Sequence, residues 1–131
     1  MRLETTHSNY VAGALLGLGW AALASHEPAS ANQYFHQVLA AHGRTAWEAM
    51  EATIGLAQIA AAAGQPVAAV RALALVVHHP ATAHATRAQA ARLLGQLEQA
   101  IQAGAFAEIV ALGQQRELGE VVAELAAMMG E

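Results

Sequence analysis

The feature that most constrains the fold of this chain is a fixed spacing between two segments of similar sequence. Small, large and turn-forming residues of the first segment recur in the second segment at one constant separation along the sequence. We call this separation the repeat period and define it as the separation between Pro28 and Pro66. The other matched pairs are Leu18 with Leu56, Gly19 with Ala57, His26 with Gly64, Ala31 with Ala69, Phe35 with Leu73 and Val38 with Val76. A period of about forty residues with two helical patterns is typical of an α-solenoid, because each helical pair buries its apolar side by stacking on the next.

Glycine and proline residues divide the chain into seven predicted helices. These cover about residues 6–25, 28–42, 45–63, 66–78, 83–103, 105–112 and 118–129. Pro28 and Pro66 stand where proline is favoured, in the first turn of a helix, and Thr45 has capping-box spacing to Glu48. The glycines expected to end helices are Gly43, Gly64, Gly104 and Gly113. No segment alternates apolar and polar residues as a strand does.

The sequence therefore predicts one all-α domain over residues 1–131, an α-solenoid of about seven helices. Two antiparallel hairpins are expected at about 6–42 and 45–79, followed by a three-helix C-terminal cap at 81–131. Hydrophobic residues make up 56% of the chain and charged residues 12%, which indicates packed helices rather than disorder. Small residues such as Gly19 let helices approach closely, while Leu18 and Phe35 are expected to fill the space between them. The aromatic side chains expected in the core or between repeats are Tyr34, Phe35 and Trp47.

The residue types that the sequence lacks argue against catalysis. The chain contains no Cys, Lys or Asp, which removes thiolate nucleophiles, Schiff-base lysines and the usual orienting acid of a catalytic triad. We therefore expect no enzymatic activity and no cofactor. His78 and His79 invite a metal site, but adjacent residues point to different faces of a helix, and no Cys or Asp completes a ligand set. We expect no metal site.

Charge and hydropathy restrict the partners and the compartment. The formal net charge is −4, and the arginines are spread singly along the chain, so that no basic stripe can neutralise phosphates. No apolar run reaches membrane-spanning length without polar interruption, and the first residues lack the apolar segment of a signal peptide. We expect a cytoplasmic protein that binds neither nucleic acid nor a membrane.

The two paired segments resemble tetratricopeptide repeats. The resemblance rests on a small residue, a second small residue twelve positions later, and an aromatic or leucine four positions beyond it: Gly19, Ala31 and Phe35, then Ala57, Ala69 and Leu73. The period is longer than the family's usual one, which is about thirty-four residues. Such longer repeats resemble those in the C-terminal regulatory region of bacterial LuxR-type activators and related signalling ATPases. In the tail, this resemblance is carried by Gly104, Phe106, Gly113, Leu118 and Val121.

The resemblance implies a concave groove lined by the first helix of each pair. Carried over residue by residue, the groove positions are Leu16, Trp20, Leu23, Glu51, Ile54, Gln58, Leu94 and Glu98. Trp20 with its flanking leucines is a candidate anchor for a partner. The alternative is that Trp20 packs in the core, as large aromatic side chains mostly do.

These observations predict a non-catalytic protein–protein interaction or sensor module of a bacterial signalling or transcriptional regulator, with a protein or peptide partner. The alternative is a small-molecule receptor that binds an inducer on the concave face. The first helix is apolar almost all round and must be buried on more than one side. We therefore also expect a homodimer through the open N-terminal face, with Tyr10, Leu15 or Trp20 near the contact.

Overall fold

The structure, a computed structural model, describes residues 2–41, 45–80, 82–101 and 103–128, and it describes the side chains of residues 11–41, 45–80, 82–101 and 105–125. The described residues form seven α-helices, and no strand occurs among them. The helices are α1 (Arg2–Ala24), α2 (Pro28–Ala40), α3 (Ala46–Ala62), α4 (Pro66–His78), α5 (His84–Glu98), α6 (Ala103–Gln114) and α7 (Leu118–Met128). The predicted all-α fold with seven helices is confirmed for this part of the chain.

The backbone conformation of the first helical pair, α1 and α2, repeats in the second pair, α3 and α4. α2 and α4 both contain 13 residues, and each follows a turn with one residue of positive φ, His26 at 60° and Gly64 at 83°. The residues before the two prolines also match, with φ/ψ of −120°/71° at Glu27 and −118°/64° at Gln65. In both turns the N–H of this residue donates a 2.9 Å hydrogen bond to the carbonyl five positions earlier. The chain therefore reverses direction twice along the same path.

Local sequence signals explain where these helices begin. Pro28 and Pro66 occupy the first turn of α2 and α4, where a missing backbone N–H leaves no intrahelical partner unsatisfied. At the start of α3, the Glu48 N–H donates to Thr45 Oγ1 at 3.1 Å, and the Thr45 N–H donates to Glu48 Oε1 at 2.8 Å. The predicted capping box is thus confirmed.

Phe35 of α2 joins the first helical pair to the second. Its ring is fully buried and lies between Gly19 of α1 and Gly55 of α3. A β-carbon built on Gly19 would lie 2.6 Å from the ring, and one built on Gly55 would lie 2.4 Å from it. Trp20 meets the same ring edge-on, with ring centroids 5.1 Å apart. Glycine at both positions lets α1 and α3 close on the ring, because any larger side chain would overlap it.

The three C-terminal helices all pack on the second helical pair. α5 contacts α4 and α3, α6 runs along α4, and α7 contacts both α3 and α4. Val121 and Leu125 of α7 are buried in the common core. The Glu124 carboxylate pairs with the Arg71 guanidinium of α4 and lies 3.4 Å from that of Arg116. The C-terminal helices α5, α6 and α7 therefore cover the apolar face of the second pair.

The predicted boundaries of α5 and α6 are wrong. α5 ends at Glu98 rather than near residue 103, because the N–H groups of Ala100 and Ile101 donate to carbonyls three positions back and tighten the last turn. Gly104 and Gly113 lie inside α6 instead of ending helices. α1 begins at Arg2, earlier than predicted. The prediction for Gly43 lies outside the described residues.

Two large side chains that were expected to be buried are exposed. Leu18 is 47% exposed and Trp47 is 48% exposed. The counterpart of Leu18 in the second pair, Leu56, is buried in the common core, whereas the described residues place nothing over the face of Leu18. Trp47 stands in the first turn of α3, at the edge of the core. The side chain of Tyr10 lies outside the described set.

Candidate binding surface

Two neighbouring clefts open on either side of Gln58 in α3. The larger cleft, of about 410 Å³, lies between the C-terminal end of α1, the start of α2, and α3. The residues that line it are Leu23, His26, Pro28, Gln58, Ile59 and Ala62. The smaller cleft, of about 190 Å³, lies among α3, α4 and α5. The residues that line it are Ala57, Gln58, Ala61, Leu73, Leu93, Gln96 and Leu97.

The smaller cleft has a physical origin in the repeat. Its residues Gln58 and Leu73 occupy the positions that Trp20 and Phe35 hold in the first helical pair, one repeat period earlier. In the first pair, the two aromatic rings meet and fill this space. The amide and leucine side chains have less volume, so that the equivalent space in the second pair stays open between α3, α4 and α5.

The turn between α1 and α2 shapes the larger cleft. His26 has φ of 60°, the left-handed conformation in which helices commonly end. The Ser25 and His26 N–H groups donate back to α1 carbonyls, and the chain then enters α2 through Pro28. This tight reversal places the His26 and Pro28 side chains on the cleft opposite Gln58.

A side-chain hydrogen bond fixes α5, which forms the far wall of the smaller cleft, against α3. The buried Thr86 hydroxyl of α5 donates to Glu51 Oε2 of α3 at 3.0 Å. Glu51 is only half-buried, so that its other contacts with solvent offset the cost of placing a carboxylate beside the core.

The connection between α4 and α5 is held by one arginine. The Arg87 guanidinium donates to the carbonyls of Val77, His79 and Thr82, at 2.8 to 3.2 Å. The Thr82 hydroxyl donates to the Val76 carbonyl at 2.7 Å. Of these acceptors, the Val76 and Val77 carbonyls belong to the last turn of α4 and have no partner within the helix. A cation at this end of α4 also complements the helix dipole. These contacts hold the first turn of α5 against the end of α4.

The two clefts together form an apolar surface with amide groups at intervals. We call it the Gln58 surface and define it by Leu23, His26, Gln58, Ala61, Gln96 and Leu97, of which none is fully buried. Neither the Gln58 amide nor the Gln96 amide bonds to another residue in the described part of the chain. Each primary amide offers two donors and an acceptor. Among the residues lining the clefts, His26 is the one titratable side chain.

The structure separates the groove residues implied by the sequence. Leu23 and Gln58 come together on the larger cleft. Trp20 is half-buried against Phe35 and lines neither cleft. Leu16 is 5% exposed and Ile54 is fully buried, because their faces of α1 and α3 pack into the core. In this conformation neither side chain is accessible to a partner.

The three remaining implied positions lie away from the clefts. Glu51 accepts the hydrogen bond from Thr86, Leu94 is half-buried against the core, and Glu98 is exposed at the end of α5. The residues of α5 that do line a cleft are Leu93, Gln96 and Leu97. Gln96 stands one repeat period after Gln58. Extending the repeat into α5 would therefore have predicted Gln96 as a residue of this surface.

The described residues contain neither a metal-ligand cluster nor a membrane-spanning helix. No three His or Glu side chains in that part of the chain lie close enough together to hold a metal ion. The His78 ring contacts the Gln114 amide at 2.6 Å, across α4 and α6. Over the same residues, no helix combines the length and apolar character needed to cross a bilayer.

Comparison with known proteins gives no relative. No protein-family model, no curated protein and no solved structure matches the chain significantly. The function of this chain must therefore be inferred from its own geometry.

Proposed function

We propose that this chain is a non-catalytic helical-repeat module that presents the Gln58 surface to a protein or peptide partner. The observation that carries the proposal is the position of Gln58, which borders both clefts and has an amide free for a partner. Two clefts that meet at one residue form an elongated surface. An extended peptide can place apolar side chains in the two clefts while its backbone bonds to the Gln58 and Gln96 amides.

The repeat supports a tetratricopeptide-like solenoid as the architecture. Such an array requires helical pairs with matching turns at a constant period. The chain supplies two such pairs, and α5 follows them at the position where the first helix of a third pair would stand. By resemblance we place the module in a bacterial signalling or transcriptional regulator, in the cytoplasm. We propose no cofactor and no direct nucleic-acid or membrane partner. Self-association through the N-terminal side of α1 remains our prediction for the isolated chain.

The alternative function is that of a small-molecule receptor for an inducer. The larger cleft, at about 410 Å³, falls within the range of ligand pockets, roughly 300–1,000 Å³. It is lined by apolar side chains with one imidazole and one amide, which suits a compact, mostly apolar ligand. The residues lining it do not include Trp20, so that the predicted aromatic anchor does not support this alternative.

A selection from a random peptide library displayed on phage tests the main proposal. Peptides selected on the intact chain should lose at least about tenfold in affinity, or about 1.4 kcal/mol, to the variant Gln58→Arg. The arginine introduces bulk and charge at the junction of the two clefts. The matched control is Gln99→Arg, because Gln99 is exposed beyond α5 and lines neither cleft. Circular dichroism should give the same helix content for both variants.

The outcomes separate the two functions. Peptides that bind the wild type and Gln99→Arg but not Gln58→Arg support the interaction module. Peptides that bind all three proteins equally contradict it. A parallel thermal-shift screen of small metabolites covers the alternative: a compound that raises the Tm of the wild type and of Gln99→Arg, but not of Gln58→Arg, in the absence of any selected peptide, favours the receptor.

A further inference from the structure

The outer side of the first helical pair is open where the equivalent side of the second pair is buried. We call this side the N-terminal face and define it by Ala14, Gly17, Leu18, Ala21, Ser30 and Tyr34, of which none is buried. Their counterparts one repeat period later are Ala52, Gly55, Leu56, Ile59, Ala68 and Ala72, and all of these are buried. The first pair covers the α3 part of this buried surface, because α1 and α2 both contact α3, whereas Ala68 and Ala72 belong to α4, which α5, α6 and α7 contact. The α3 part of the surface therefore occurs twice, open on α1 and covered on α3.

The contact at Gly55 shows how this surface is used once within the chain. Gly55 lies against the Phe35 ring, so closely that a β-carbon would come within 2.4 Å of it. Ala52 and Ile59 lie on the same face of α3 as Gly55, three and four positions away. The face of α3 is therefore a docking site for a helical pair whose second helix projects an aromatic ring.

Gly17 is the open counterpart of Gly55. A β-carbon built on Gly17 would meet nothing within 4 Å. The neighbouring residues Leu18, Ala21 and Tyr34 line a cleft of about 220 Å³. Leu18 is a large apolar side chain at 47% exposure, whereas its counterpart Leu56 is buried.

A size relation between the units specifies the side chain that Gly17 would receive. Where the receiving residue is Gly55, the inserted side chain is Phe35. In the next unit the receiving position is Leu93 and the inserted position is Leu73, and both line the smaller cleft. Leucine at both of these positions leaves the space between them open as a cleft, whereas phenylalanine opposite glycine closes it. A glycine at the receiving position is therefore matched by an aromatic ring.

We propose that the N-terminal face is a docking surface for another helix–turn–helix unit, whose second helix places an aromatic side chain on Gly17. The proposal is independent of the Gln58 surface, because it rests on the repeat alone. Glu27, Ser30 and Tyr34 also line this cleft, so that the contact combines apolar and polar side chains.

A second intact copy of this chain does not offer the required unit. Its Phe35 and Leu73 are both buried inside the molecule. Tyr34, the half-buried aromatic side chain of its α2, belongs to the N-terminal face itself. The exposed ring of Trp47 stands in the first turn of α3 and not on a second helix. The occupant is therefore a helical pair with a free second helix. For the chain without such a unit, self-association through Leu18 remains our prediction.

The test extends the chain by repeating residues 7–44 once before the original residue 7, so that the added unit joins α1 as α2 joins α3. The extended protein should unfold in one transition, at higher urea concentration than the natural chain. In the extended protein Gly17→Ala in the original unit should lower the midpoint, because the new β-carbon overlaps the added ring. Phe35→Ala in the added unit should remove this sensitivity. Gly95→Ala, whose β-carbon meets nothing within 4 Å, is the control and should not lower the midpoint.

The coupling between the two substitutions decides the proposal. Loss of stability with Gly17→Ala that disappears with Phe35→Ala in the added unit supports it. Two separate unfolding transitions, or an effect of Gly17→Ala that is the same with and without the added phenylalanine, overturns it. A natural chain that dimerises through Leu18, combined with an extended chain that shows no coupling, assigns the face to a second copy instead.

Discussion

A β-carbon placed on Gly55 would lie 2.4 Å from the ring of Phe35, nearer than two carbon atoms approach without one of them moving. This contact joins the two helical pairs and has an open counterpart at Gly17. Replacing each of these two glycines by alanine should therefore change the free energy of unfolding in opposite directions.

We expect Gly55→Ala to lower the free energy of unfolding by about 1–3 kcal/mol, the usual cost of overpacking a core. Gly17→Ala should raise it by about 0.5–1 kcal/mol, because alanine in an exposed helix interior is favoured over glycine. Urea denaturation at a protein concentration that keeps the chain monomeric measures both. Equal effects of the two substitutions would contradict the packing described for Phe35.

Gly113 supports a second prediction, for the attachment of α6. A β-carbon there would lie 2.7 Å from the Arg71 carbonyl oxygen and 3.0 Å from the Ala74 β-carbon. These backbone and near-backbone atoms cannot move away unless α6 and α4 separate. Gly113→Ala should therefore destabilise the fold by about 1–3 kcal/mol, while Gly95→Ala in α5 should stabilise it by about 0.5–1 kcal/mol. If thermal unfolding gives a Tm for Gly113→Ala at or above that of the wild type, the described contact between α6 and α4 is wrong.

The left-handed turns give a third prediction. His26 has φ of 60° where its counterpart Gly64 has φ of 83°. A non-glycine residue in this region carries a penalty of roughly 1–2 kcal/mol, and glycine gives back about 0.4–1 kcal/mol through the flexibility of the unfolded chain. His26→Gly should be neutral or stabilise by up to about 1 kcal/mol, whereas Gly64→Ala should destabilise by about 1 kcal/mol. Calorimetric unfolding checks the pair, and a clear loss of stability in His26→Gly would show that its side chain contributes more than its backbone costs.

Two equally exposed leucines test self-association. Leu18 on α1 is 47% exposed and Leu112 on α6 is 49% exposed. We expect the chain to dimerise through the N-terminal face, so that Leu18→Glu gives a monomer and Leu112→Glu leaves the dimer intact. Sedimentation velocity over a wide concentration range measures this. A wild-type chain that stays monomeric at high micromolar concentration would refute the dimer.

The parts of the fold that follow from local chemistry could be predicted from the sequence. Pro28, Pro66 and the Thr45–Glu48 capping box fix helix starts through groups near them in the chain, and all three are as expected. Gly113 could not be interpreted in the same way. Glycine either ends a helix or lets another element approach, and only the position of α4 distinguishes the two.

The candidate surface was predictable only in part, for a related reason. Leu23 and Gln58 were implied by the groove positions of the repeat, and both line the larger cleft. Gln96 would have followed from the repeat period had it been extended into the fifth helix. Ile54 was placed on the groove side, but its helix face is decided by the neighbours that cover it. Burial depends on those long-range contacts, which periodicity within one helix does not specify.

The most direct test of the Gln58 surface uses the side-chain amide signals of the glutamines in a ¹⁵N-labelled chain. A peptide from the phage selection is titrated into the protein, and the side-chain NH₂ resonances are followed by NMR. The proposal predicts that the Gln58 and Gln96 signals shift in a saturable manner with the same Kd. The signals of Gln33 and Gln37, which are exposed on α2 and line neither cleft, should stay in place. Saturable shifts confined to Gln33 and Gln37, with Gln58 and Gln96 unchanged, would contradict the proposed binding surface.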